Sequence, residues 1–173
     1  MTSPYHAFAR TVVALMAPLC LLPVQPVQAA VRQQADKVLV LKSQRLMLLL
    51  KDGEVLKSYR VALGRRPIGH KHRQGDGRTP EGTYVVDRRN GHSRYHRSLH
   101  ISYPNAADVA YAGKHGTDPG KDIMIHGLPN GYEDLAEVHT SRNWTKGCIA
   151  VSNGEIDEIW RLVPDGTPIV IKP

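Results

Sequence analysis

Between residues 37 and 63 the chain carries two strand-length apolar runs and a turn that folds one back on its successor. KVLVLK (37–42) and RLMLLLK (45–51) are the runs, and Asp52-Gly53 closes the second. An Asp-Gly pair supplies the two positive-φ residues of a type I′ turn, so residues 54–63 read as the returning strand of a hairpin. Further short strands are predicted over 83–87, 99–103, 123–126, 149–152 and 168–172, most of them separated by Gly, Pro, Asn and Asp clusters. One helix is well marked. Ser152 and Glu155 form a capping box, Ile156, Ile159, Trp160 and Val163 recur at helical spacing, and Pro164 ends the run before an Asp165-Gly166 turn. A weaker helix is expected over 132–138. Many strands with one or two short helices define a mainly β domain, all-β or α+β. No repeat or linker divides residues 36–172, which are read as one domain.

Residues 1–29 have a different grammar. Arg10 precedes a short apolar stretch, TVVALMAPLCLL (11–22), and Val27-Gln28-Ala29 supplies the small-residue end of a secretory signal peptide. The apolar stretch is too short to span a membrane and is interrupted by Pro18, so no transmembrane segment is expected after cleavage. Removal of 1–29 takes Cys20 away and leaves Cys148 alone, in a compartment that oxidises thiols in pairs. A solitary exported thiol is buried filler, an intermolecular partner or a nucleophile.

The charge is uneven. The chain carries +7 overall, and residues 65–100 alone hold nine Lys/Arg, five His and three acids. Two readings compete: a solvated basic face, or a landing surface for an anionic polymer. His70, His72, His92 and His96 raise the question of a metal, but no Cys or carboxylate completes a ligand set, and neither metal nor other cofactor is expected.

The chemistry concentrates in residues 122–153. A strand at 123–126 delivers His126 at its end, and Gly147-Cys148 lies where a loop enters the next strand. A thiol at its ordinary pKa is only a few per cent thiolate near neutrality and needs a base or cation beside it. His126 is the candidate base and His139 its rival. Lys146 shares a side with Cys148 if the segment is extended. Gly147 is the candidate source of a backbone amide for an oxyanion hole.

These residues resemble the signature of the L,D-transpeptidases with the YkuD-type catalytic domain: His126-Gly127, then Thr145-Lys146-Gly147-Cys148-Ile149. The likeness extends to 61–64, to Gly75-Asp76-Gly77-Arg78-Thr79-Pro80-Glu81-Gly82 and to 102–105. It implies a YkuD-like β-sandwich, a periplasmic or cell-envelope setting, acylation by carbapenems, and Cys148 attacking a peptidoglycan stem-peptide carbonyl while His126 moves the proton. Thr145 and Lys146 fall where the family contacts substrate. The chain departs from the pattern at Lys146, usually His, at Ala150, commonly Arg or Asn, and in the long gap after His126. Transfer of the acyl group to an amine gives an L,D-transpeptidase; transfer to water gives an L,D-carboxypeptidase or amidase. The remaining reading is a non-catalytic binder of anionic wall polymer. Nucleic acid is not an expected partner, because the protein is expected to be exported.

Overall fold

Asp52 and Gly53 adopt φ of 52° and 87°, the paired positive values that the Asp-Gly turn requires. The structure, a computed structural model, describes Met1 and residues 33–173; residues 2–32, on which the expected signal peptide falls, lie outside the described residues. The elements in chain order are β1 (Lys37–Leu41), β2 (Leu46–Lys51), β3 (Glu54–Arg60), β4 (Gly82–Ser93), β5 (His96–Ile101), α1 (Ala106–Lys114), β6 (Met124–His126), β7 (Ile149–Ala150), α2 (Asn153–Leu162) and β8 (Pro168–Lys172). The domain is mainly β, as expected, and carries two α-helices among the described residues.

The strands form one eight-stranded sheet in the order β3-β2-β1-β8-β4-β5-β6-β7. The last strand enters parallel to β1, with Val38 opposite Ile169. β4 serves both halves: residues 82–85 pair with β8, and residues from Val86 onward pair with β5 through two register shifts. Bulges bend a strand and increase its twist, and here they turn the sheet between its halves. The two edges then meet. Beyond β3 the chain stays extended, and Ala62 exchanges backbone hydrogen bonds with Ala150 of β7 at 2.9 and 2.8 Å. Two isolated bridges, Ala62 to Ala150 and Gly64 to Thr145, thus join the ends of the sheet around one interior. Val38, Val40, Leu49, Val86, Leu99, Ile125, Ile149 and Ile169 fill it, fully buried. Helix α2 closes one side with Ile156 and Ile159, worth roughly 1.5–3 kcal/mol each when buried. Its capping box at Ser152 and Glu155 is present as read.

Three expectations need correction. The strand predicted over 83–87 runs on to Ser93, and its partner begins at His96, three residues before the expected start at 99. Residues 87–93 are charged or polar and largely exposed, so no apolar alternation announces them. Helix α1 was not expected; its apolar periodicity is weak, although Asn105 and Asp108 form a full capping box. The helix expected over 132–138 is a 3₁₀ turn at Glu133–Leu135, none of whose residues is buried. Without an apolar face to bury, a helix that short has no tertiary support.

Candidate active site

The site is built by register. His126, the last residue of β6, stands opposite Ser98 of β5 on one side and Ala150 of β7 on the other. Ile125 pairs with Ile149, which puts Cys148 beside Met124, just before β7 begins. In a strand, residues two apart share a face, so Met124 and His126 project to the same side of β6. His126 and Cys148 accordingly line one cleft of about 520 Å³, together with Tyr95, Asp122, Trp144 and Lys146.

The hook that presents the thiol is stitched from residues 145–148. Thr145 Oγ1 donates to the Cys148 carbonyl at 2.7 Å and accepts the Gly147 N–H at 3.1 Å. Gly147 has φ of 145°, and a Cβ there would stand 2.8 Å from the Arg78 carbonyl oxygen, so only glycine fits. Thr145 itself is clamped to the far sheet edge through the Leu63 carbonyl at 3.1 Å and the Arg65 amide at 3.1 Å. The Gly147 amide, expected to face an oxyanion, is therefore occupied by Thr145. Among the described residues the neighbouring Cys148 N–H carries no backbone partner.

The imidazole is set in one tautomer. His126 Nδ1 lies 2.7 Å from its neighbour's carbonyl, Gly127 O, so Nδ1 bears the proton and Nε2 is the free base. Burial pushes the His126 pKa down to about 4; the Gly127 carbonyl opposes this, and His139 lowers it further. Tyr95 and Trp144 frame the ring at 4.5 and 5.8 Å between centroids. Burial also pushes the Cys148 thiol up, against the Met124 amide and Lys71, which lower it, while Asp122 raises it. The thiol donates weakly to the Asp122 carbonyl at 3.7 Å. A low imidazole beside a high thiol is a neutral pair, not a standing thiolate–imidazolium.

The remaining expected residues fall as follows. Lys146 lines the cleft but is exposed, and the cation that acts on the thiol is Lys71. His139 is buried and opens on a separate apolar cavity of about 410 Å³ beyond Trp144, away from Cys148. Ala150 is fully buried between His126 and Ala62 and does not line the cleft, so this position offers no substrate contact. His70 is committed to the Glu81 amide and Asp108, and His96 to Asp157. Sequence reasoning missed Lys71 and Tyr95 as cleft residues, whereas Asp122 opens the 122–153 stretch and Trp144 shares a side with Lys146 and Cys148 in an extended segment. Gly75-Asp76-Gly77 was the available signal for Lys71; Tyr95 had none.

Together these features define a closed β domain carrying a thiol and an imidazole in one cationic cleft. Residues 35–171 match the L,D-transpeptidase catalytic domain, YkuD, and the chain belongs to that family. It is 37% identical over 130 residues to YafK of Escherichia coli (strain K12), a match covering 72% of this chain and 45% of YafK. The chain thus spans less than half the length of this curated relative. The helical cell shape determining protein Pgp2 of Campylobacter jejuni aligns at a TM-score of 0.59 and 25% identity, over 79% of this chain and 46% of Pgp2. An L,D-transpeptidase of Xylanimonas cellulosilytica shares the fold at a TM-score of 0.54 and 18% identity, over 81% of this chain and 61% of that one.

Proposed function

We propose that this protein is an exported cysteine acyltransferase that acts on peptidoglycan stem peptides through a Cys148 thioester, in the periplasm or cell envelope. The observation that carries the reading is the neutral imidazole with Nδ1 tied to Gly127, facing the same cleft as the only thiol among the described residues. His126 Nε2 takes the Cys148 proton as sulfur attacks the amide carbonyl, so thiolate forms only when substrate is in place. The Cys148 amide receives the developing oxyanion. His126 then returns the proton to the departing amine, and an incoming amine attacks the thioester along the reverse path. Arg65, Lys121 and Lys146 line the cleft, exposed, and suit a peptide bearing carboxylates. Thr145 shapes the hook and Lys146 borders the substrate. The reaction as written needs no cofactor, and nucleic acid has no part in it.

The test is a purified tetrapeptide donor incubated with an amine acceptor, followed by intact mass of the protein and of the products. A Cys148 acyl adduct with an acceptor-linked product supports transfer. A tripeptide alone makes the protein the L,D-carboxypeptidase or amidase of the same acyl-enzyme. Absence of any adduct, with the peptide merely bound, makes it a wall-polymer binder. Intact mass of secreted protein beginning at Ala30 checks the export step; retention of residues 1–29 refutes it.

A further inference from the structure

The loop Gly75-Asp76-Gly77-Arg78 takes no part in the mechanism above, yet it is among the most heavily hydrogen-bonded segments beside the cleft. Asp76 is its hub. Oδ2 accepts the His72 and Arg73 amides at 2.8 and 3.1 Å, and Oδ1 accepts the Arg78 amide at 3.0 Å and Lys71 Nζ at 3.0 Å. Lys71 also donates to the Arg73 carbonyl at 2.9 Å. An ammonium has three protons, and these bonds use two. The side chain is 2% exposed, an unusual place for a lysine, and the residue lines the cleft that holds Cys148. Arg65, Lys121, Asp122 and Lys146 are the other charged residues that line the cleft, and Asp76 is the carboxylate in contact with Lys71.

The Gly147 amide does not supply the oxyanion donor that the sequence suggests. Two donors usually hold the oxygen of a tetrahedral intermediate, and Thr145 occupies the Gly147 amide. We propose that the Lys71 ammonium is the second donor, receiving the substrate carbonyl oxygen as Cys148 attacks, with Asp76 as the residue that positions it. This rests on the acyl-enzyme reading above. Sulfur bonds to the carbonyl carbon, the carbonyl π pair moves to oxygen, and Lys71 stabilises that charge without giving up its proton. Collapse restores the carbonyl, expels the amine, and passes the proton held by His126 to it. Lys71 also draws the thiol pKa down against the dominant effect of burial, as a cation lining the same cleft would.

Two reagents separate oxyanion stabilisation from simple tuning of the thiol. Imipenem acylates through a tetrahedral oxyanion; iodoacetamide alkylates sulfur by displacement and forms none. Adduct on Cys148 is followed by intact mass for the wild-type protein, Lys71→Met and Lys71→Arg. Lys71→Met is expected to slow acylation by about 10²–10³-fold and alkylation by no more than about tenfold. Lys71→Arg keeps a cationic donor and recovers part of the acylation rate. Equal slowing of both reagents, or acylation unchanged in Lys71→Met, overturns the proposal. If Lys71→Met melts below the assay temperature, Lys71→Gln, which keeps an N–H for Asp76 and loses the charge, is judged by the same ratio. A wild-type protein that neither reagent-matched acylation nor peptide can label refutes the acyl-enzyme reading itself; a labelled wild type with no selective loss in the variants refutes only the role of Lys71.

Discussion

At the scale of single residues, His126 and Cys148 are both held in their uncharged forms, and that sets the expected pH behaviour. Alkylation of Cys148 should climb with pH along a curve displaced above that of a free cysteine, because burial raises the thiol. Acylation should persist down to about pH 4 and fail below it, where His126 takes its proton. His126→Ala should slow acylation by roughly 10²–10⁴-fold and Cys148→Ser should abolish it, with His139→Ala near wild type. A damaging His139→Ala beside a silent His126→Ala would reverse the assignment. The same burial affects stability. Above about pH 6.5 the imidazole is neutral in both folded and unfolded chains; between 6.5 and about 4 only the unfolded chain binds the proton. Stability should therefore fall as pH falls through that window, by on the order of 3 kcal/mol from this one group. Chemical denaturation at pH 7 and pH 4 measures the loss, and His126→Gln should flatten part of it.

At the scale of elements, helix α2 serves the site as well as the core. Its cap residue Ser152 accepts the Glu155 amide, while Asn153 Oδ1 accepts the Leu128 N–H at 2.8 Å and so secures the turn that follows His126-Gly127. Ser152→Ala and Asn153→Ala should each cost about 1 kcal/mol, but only Asn153→Ala should also slow acylation. Equal rates in the two variants at matched stability would deny the turn that role. This helix was readable in advance because cap, apolar spacing and terminating proline agree. The hairpin at Asp52-Gly53 and the strand at 168–172 were readable for the same reason: local chemistry and burial point the same way. Helix α1 and the outer part of β4 were not, since their residues are mostly exposed and carry no periodic signal. In the site, His126 and Cys148 stand out as residue types at a recognisable spacing. Lys71 does not, because its meaning comes from Asp76 gathering a loop and from a sheet edge closing beside it.

At the scale of the whole molecule, closure of the sheet and the distribution of charge each make a demand on function. Ala150 sits fully buried where the two edges join, opposite both His126 and Ala62. An Ala150→Arg exchange, which sequence likeness alone suggests as a restored substrate contact, should instead overpack the junction and cost at least about 1–3 kcal/mol. A thermal melt decides this, and an unshifted melt would show room that the structure does not have. The charge argument concerns encounter. The chain carries +7, and Arg65, Lys71, Lys121 and Lys146 converge on a cleft whose lining includes the acid Asp122. The exposed members of this set, Arg65, Lys121 and Lys146, attract an anionic substrate over a distance set by the Debye length, about 10 Å at 0.1 M salt and about 3 Å at 1 M. For a carboxylate-bearing stem peptide, kcat/KM should therefore drop several-fold as salt is raised from about 0.05 to 0.5 M. Alkylation by neutral iodoacetamide, which meets the same thiol without needing the field, should barely change over that range. If both reactions lose rate in parallel, salt is acting on the fold of the hook at 145–148 and not on substrate capture, and the cationic cleft loses its place in recognition.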